Sequence, residues 1–412
     1  MFKFYKKLSF ATRILIWMLI GAVLGLIFKE KAIIVQPIGE MFLQLLVMGA
    51  IPLVFFNLLA GMGSIGTVKA FGKVGLKIVV YYLFSTAMAI TVGIFVMSMT
   101  EAGEGITLTG EVPDNIGVMP DLATIIQDMI PTNIFKSFAE GKLIQIVIFA
   151  VLLGVVVLNL PEQKKEWFQS GFERIAELMR HLVELILRAS PLGLGALMAA
   201  TFGEYGSKIV GALTVFIGSV YLAQLIMVLF YMMILWFIGR VSPLWFLNKT
   251  SALYATTVAT CSSLASLAVS LDIAEKDLRL PKKIFSFTLP LGAQFNKDGT
   301  SIMLAGILIF TAQAVGIDFT LPQMIQVVLV GLLLSEGSGG IPGGGLVVAM
   351  LFAEAFHLPL EIVAIVGGIY RLIDMGNTTV NCMGDMVATT VISKLEKAWK
   401  PESDEKVYDK PA

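Results

Sequence analysis

The sequence predicts an all-α, polytopic membrane protein, and three observations carry that prediction. Of its 412 residues 57% are hydrophobic and only 15% charged, where a soluble protein carries about 25% charged residues. Uncharged apolar runs recur at 14–28, 41–68, 78–100, 143–161, 209–239 and 250–271, and a helix needs roughly 20 apolar residues to cross a bilayer. Short charged connections such as 69–77 and 162–165 separate them. The formal net charge is zero, so nothing points to nucleic acid.

Taken in order, the first run follows Lys3, Lys6, Lys7 and Arg13, which places the N-terminus inside by the positive-inside rule. That run ends in Lys29-Glu30-Lys31 without a small-residue cleavage site, so it reads as a retained span and not a signal peptide. The segment 100–128 is a polar outer loop. The segment 166–188 carries Glu173, Arg174, Glu177, Arg180, Glu184 and Arg188 and reads as a long amphipathic helix with a solvated face. The tail KLEKAWKPESDEKVYDK is polar and mixed in charge, a solvated cytoplasmic end. With both termini inside, the number of full crossings is even. Cys261 and Cys382 both fall in apolar segments and read as small packing residues, not a disulfide. His181 and His357 sit at or near segment ends and read as neither metal ligands nor proton relays.

After residue 240 the pattern changes. The run 250–271 is interrupted at its centre by TCSSLAS, and 319–353 by SEGSGGIPGGG, in which the last nine residues hold six glycines and a proline. Each interruption leaves arms too short for two spans, so both read as re-entrant hairpins that turn at mid-depth. Non-helical backbone at that depth is tolerated only where it is buried or lines a cavity. Two such segments in one chain point to a transporter site near the membrane midplane.

Asp374, Thr378, Asn381 and Asp385 are spaced +4, +3, +4, which puts all four on one stripe of the last helix. A polar stripe in an apolar segment should face a cavity. Asn296, Asp298 and Thr300 lie in NKDGT, which reads as the broken centre of the preceding helix. Freed carbonyls and a carboxylate there are oxygen ligands suited to a hard cation.

These stretches resemble the glutamate transporter family, the dicarboxylate/amino acid:cation symporters. TCSSLAS (260–266), SFTLPLGAQFNKDGT (286–300), GSGGIPGGG (337–345) and LIDMGNTTVNCMGD (372–385) match its motifs in order, and KIVVYYLFSTA (77–87) and IPTNIF (130–135) match in the first half. The resemblance implies eight transmembrane helices and two re-entrant hairpins in a homotrimer of the inner membrane. It implies scaffold helices at 1–75 and 129–206. A transport domain would move as an elevator, built from 76–128, 207–240 and 241–396, with 397–412 as a cytoplasmic tail. The second hairpin would be the gate. Asp374 would take a substrate amino group with help from Thr378, and Asn381 the α-carboxylate with hairpin-tip N–H groups. Ser262, Ser263, Thr300, Gly340, Ile341, Gly345 and position 377 would line the same site. One sodium site would use Asp385 with backbone oxygens of Gly292, Asn296 and Asn381. Another would use Asp298, Asn296, Tyr82, Ser85 and Thr86.

Three departures qualify that expectation. Family carriers of aspartate and glutamate place an arginine where this chain has Asn377, and an amide cannot replace its bidentate grip on a carboxylate. That predicts a neutral amino acid as substrate, with an acidic amino acid or dicarboxylate as the alternative. Arg371 precedes Asn377 by six residues, about 120° away in bearing on a regular helix, and is placed to pair with Asp374 at i,i+3. Lys297 stands where sodium-coupled relatives have methionine, and Glu336 where they have a small or apolar residue. A Lys297–Glu336 pair would replace one ion, leaving coupling to sodium and/or protons open. Finally, Cys261 stands where many prokaryotic relatives carry an arginine, a role Arg371 is free to take over. Glycine-rich re-entrant loops also build channel filters, but two unlike hairpins beside a binding stripe favour a carrier. No nucleophile–base pair or metal-ligand spacing suggests an enzyme.

Overall fold

The structure is a computed structural model and describes residues 10–70, 72–104, 130–140, 142–206, 208–335, 344–355 and 360–399. Every regular element among them is helical. In hydrocarbon a helix satisfies its own backbone, which is why apolar runs of this length take that form.

The first group of elements is α1 (Phe10–Phe28), a 3-10 turn (Lys29–Val35), α2 (Gln36–Ala70), α3 (Lys73–Thr100), α4 (Ile134–Ala139), α5 (Leu143–Leu158), α6 (Glu162–Leu187) and α7 (Ser190–Tyr205). The amphipathic helix read from the charges is α6, which buries Ala176, Val183, Ile186 and Leu187 on one face. Between α6 and α7 the chain bends by 53°, with Pro191 at the start of the new helix, where a missing N–H costs nothing. α1 packs mainly on α7, and α2 on α5, α6 and α7. The α1–α7 contact is backbone-close: a Cβ on Gly21 would strike the Gly195 carbonyl, and one on Gly25 the Ala199 carbonyl. Small residues at membrane helix interfaces permit this approach.

The second group begins with α8 (Lys208–Ile234), ending in a π turn (Leu235–Gly239), and α9 (Pro243–Lys249). The first predicted hairpin is α10 (Ser251–Thr260) and α11 (Ser263–Asp272), parted at Cys261, whose φ of 49° is left-handed. Ser262 then turns extended and caps α11, its hydroxyl oxygen accepting from Ala265 N at 3.1 Å, as an N-cap serine does. Next come α12 (Lys282–Phe295) and α13 (Asp298–Val315), broken at Asn296-Lys297 as NKDGT predicts. The arms of the second hairpin are α14 (Leu321–Ser335) and α15 (Gly344–Ala355), and the chain ends in α16 (Leu360–Leu395). The second hairpin's tip, with Glu336, Gly340 and Ile341, lies outside the described residues, as do most of the outer loop, the N-terminal lysines and the tail beyond 399.

At the centre, α16 packs against α8, α10, α12, α13 and α15, and α13 packs against α3. Length and apolarity alone pick out four membrane-crossing stretches among the described residues: Thr12–Ala60, Lys73–Thr100, Ile209–Gly239 and Lys282–Val315. The bent pair Glu162–Leu187 and Ser190–Tyr205 makes five if counted as one span. The expected eight do not emerge from that measure, for physical reasons. Thr12–Ala60 runs 49 residues, more than one crossing needs, while the hairpin arms are short and α16 carries the polar stripe.

Candidate functional site

The break between α12 and α13 forms the first half of the site. Pro290 sits inside α12 and Asn296 leaves the helix with φ −83° and ψ 116°. Asp298 opens α13, where a carboxylate meets the positive end of the helix dipole. It is fully buried; Thr86 Oγ1 donates to its Oδ1 at 2.8 Å and the Tyr231 hydroxyl donates to Oδ2. Ser85 borders the same carboxylate and donates to Tyr82 O at 3.2 Å. The Tyr82 hydroxyl donates to Thr288 O at 3.0 Å.

Asp385 stands beside this group. Asn296 Nδ2 donates to Asp385 Oδ1 (3.0 Å) and to Asn381 O (3.2 Å). Asn381 Oδ1 in turn accepts from Gly299 N at 2.7 Å, and its Nδ2 donates to Thr300 Oγ1 at 3.5 Å. A Cβ on Gly292 would collide with the Asp385 carboxylate and the Tyr82 hydroxyl, so only glycine lets α12 approach. The structure thus gathers every residue named for the two sodium sites. Asn296 Oδ1 is buried with no hydrogen-bond partner among the described residues. A buried acceptor left in that state is costly, and with two carboxylates nearby it fits a hard monovalent cation. Lys297 is in the same cluster and only 1% exposed, its Nζ donating to Ala293 O at 2.7 Å and Asn296 O at 3.3 Å.

The second half lies where α16 meets the first hairpin. Thr257 and Thr379 hydroxyls bond at 2.8 Å, fixing α10 on α16. Ser262, Ser263, Asp374 and Thr378 are all buried here. Gly345 of α15 approaches the Tyr370 hydroxyl and the Thr300 methyl, so the second hairpin's exit arm closes on the same space.

Two expectations about α16 change. Among the described residues Arg371 forms no ion pair with Asp374: it is 7% exposed, its Nη2 donates to Ala259 O of the first hairpin at 3.3 Å, and its Nε has no partner among them. Asn377, fully buried, does not line the hairpin side. Its Oδ1 accepts from Gln224 Nε2 at 2.9 Å, and its Nδ2 lies 3.5 Å from Met303 Sδ. The reason is helical bearing: residues 371 and 377 flank Asp374 by about 60° on opposite sides. One side faces α10; the other faces α8 and α13.

Two residues of α8 and one of α16 that no sequence motif marks complete the site. Tyr231 and Gln224 hold Asp298 and Asn377. Their signal was present, because they are two polar groups seven residues apart in an uncharged run and therefore on one helical face. Tyr370, four residues before Asp374, shares that residue's face by the same rule.

Broken helices converging on buried carboxylates inside an apolar helical body define a membrane carrier. The chain belongs to the sodium:dicarboxylate symporter family, whose sequence model matches residues 10–395. It is a symporter by family and not an enzyme. It is 32% identical over 402 residues to the proton/glutamate-aspartate symporter of Bacillus subtilis (strain 168), covering 96% of each chain. It is 31% identical over 411 residues to the proton/sodium-glutamate symport protein of Geobacillus stearothermophilus, covering 96% of this chain and 97% of the relative. It is 29% identical over 402 residues to the C4-dicarboxylate transport protein of Bacillus subtilis (strain 168), covering 96% and 94%. These relatives favour the acidic alternative over the neutral amino acid expected from Asn377.

Proposed function

We propose that this chain imports an acidic substrate, a dicarboxylate or acidic amino acid, in symport with sodium and/or protons. The observation that carries the reading is Arg371. Its guanidinium is buried beside the first hairpin tip, holds one backbone carbonyl and leaves Nε without an acceptor. Among the described residues it forms no ion pair. A desolvated guanidinium in that state calls for an anion, and its planar fork suits a carboxylate. The neutral reading rested on Asn377 meeting the substrate, and that amide is engaged by Gln224 and Met303.

In this reading Asp374 takes an amino group where the substrate has one, Thr378 assists, and Asn381 meets the second carboxylate with hairpin-tip N–H groups. Ser262, Ser263, Thr300 and Gly345 line the same space. Asp298, Asp385 and Asn296 take the coupling cation with Tyr82, Ser85, Thr86 and the carbonyls of Gly292 and Asn381. A homotrimer in the inner membrane with both termini cytoplasmic, and an elevator motion of 76–128 and 207–396 against 1–75 and 129–206, complete the proposal. The packing of α1, α2, α5, α6 and α7 among themselves supports that division.

The test is a thermal-shift panel on purified protein, with aspartate, glutamate, succinate, serine and alanine, in sodium and then in choline. A ligand that binds only the folded state raises Tm. The expected result is a shift by acidic ligands alone, lost in Arg371→Gln. A shift by serine or alanine, with none from the acids, overturns the reading.

A further inference from the structure

The proposed function leaves one buried hydroxyl of the site without a task. Tyr370 immediately precedes Arg371 on α16 and is 4% exposed. The Tyr82, Tyr221 and Tyr231 hydroxyls donate to Thr288 O, Leu372 O and Asp298 Oδ2. Two other buried phenol hydroxyls, of Tyr81 and Tyr370, have no hydrogen-bond partner among the described residues. Tyr81 stands by the carboxylates of the α12–α13 break. The Tyr370 hydroxyl lies near the Asp374 carboxylate without a hydrogen bond of normal length and angle to it. A hydroxyl kept from water and left unbonded costs free energy, and a ligand that bonds it recovers that cost.

Tyr370 and Arg371 stand at one level of α16, about 50° to either side of the centre of the stripe formed by Asp374, Thr378, Asn381 and Asp385. Arg371 turns to the first hairpin, where its Nη2 donates to Ala259 O. Tyr370 turns to the exit arm of the second: a Cβ on Gly345 would stand 2.6 Å from its hydroxyl and 3.3 Å from the Thr300 methyl. The two side chains thus close one end of the binding space from opposite walls. Each brings a group that no described residue satisfies. From this geometry we infer that the Tyr370 hydroxyl is a specificity-determining substrate contact, donating to the carboxylate that Arg371 holds. The inference rests on the proposed acidic substrate and deepens it. A phenol hydroxyl is a donor that a carboxylate oxygen accepts well. A ligand with an apolar group at that end leaves both donors unbonded, and sites built around buried polar groups reject such analogues strongly.

The experiment is isothermal calorimetry in sodium with aspartate, succinate and alanine. Wild type, Tyr370→Phe, Arg371→Gln and the double variant are compared. Phenylalanine keeps the ring and removes only the hydroxyl. The expected result is that Tyr370→Phe binds both acids about tenfold more weakly, the lower end of what a hydrogen bond to a charged group contributes. The double variant should lose less than the product of the single losses, because both groups hold one carboxylate. The ligand-free Tm of Tyr370→Phe should not fall, since the hydroxyl has no bond to lose. A sodium titration of the ligand-free protein, read as Tm, should match wild type. Unchanged affinity for both acids in Tyr370→Phe overturns the inference and leaves the proposed function standing. A ligand-free Tm several degrees below wild type shows that the hydroxyl is bonded inside the protein, and strict additivity shows that the two groups act apart; either overturns it. A wild type that binds alanine and neither acid overturns the inference together with the proposed function.

Discussion

Two regions packed along α16 each hold a buried cationic side chain near a buried carboxylate, and they treat it differently. At the α12–α13 break, Lys297 is engaged by two carbonyls and Asp298 is held by Thr86 and Tyr231. About three to four turns along α16 from Asn381 and Asp385, Arg371 rests on a single carbonyl and leaves Nε without a partner among the described residues. The first region is an internally braced charge cluster, and the second is the one that the proposed function assigns to an anionic substrate. Polar groups left unsatisfied in a dry site mark where something from outside binds. Polar groups fully engaged mark where the protein supplies the partner itself.

The comparison breaks most sharply at Arg371. Arg371→Gln removes a charge-assisted fork, each such bond being worth about 1.5–3 kcal/mol, so acidic-substrate affinity should fall on the order of 100-fold while the sodium titration stays as in wild type. Isothermal calorimetry with aspartate or succinate reads the first, and an unchanged Kd removes Arg371 from the site. The converse variant is Gly292→Ala. Its Cβ would meet Asp385 and Tyr82, an overpacking that costs about 1–3 kcal/mol. It should abolish the sodium-dependent rise in Tm, and a normal sodium response would show that Gly292 does not border the cation.

Tyr231→Phe tests the bracing of Asp298. Losing one hydrogen bond to a buried carboxylate should lower stability by about 1.5–3 kcal/mol, seen as a fall in Tm that acidic ligands do not selectively rescue. Gln224→Leu is a milder probe. It frees the Asn377 amide from a neutral hydrogen bond worth about 1 kcal/mol, and substrate preference should not change. A gain of neutral-substrate binding would show that Gln224 is what keeps Asn377 away from the cavity. Least affected should be Lys77→Ala. Its 2.5 Å bond to Glu396 is 41% and 25% exposed, and surface ion pairs contribute about 0–1 kcal/mol. Uptake into proteoliposomes should be unaltered.

Much of this was legible without coordinates. Glycine, proline and serine clusters marked the helix breaks, because these residues disfavour helix interiors or cap new ones. The predicted breaks at TCSSLAS and NKDGT fall where α10 ends and where α12 gives way to α13. The stripe at 374, 378, 381 and 385 follows from helical periodicity alone. The relatives favour the acidic alternative over the neutral substrate, whose case rested on a single position. Asn377 was assigned to the cavity by its place in a motif, without knowing that Gln224 lay across from it.

By itself, then, the sequence determined the membrane class, the broken helices, the polar stripe and the family. All of these depend on composition and on spacings within one segment. Only the tertiary structure decided which side of α16 looks at the first hairpin. Asn377 finds its partner 153 residues away and Arg371 finds its own at 112. Periodicity gives the bearing of a side chain around its own helix, but not which helix stands at that bearing. Packing sets that neighbour, and here it turned Arg371 toward the hairpin and buried Asn377 behind it.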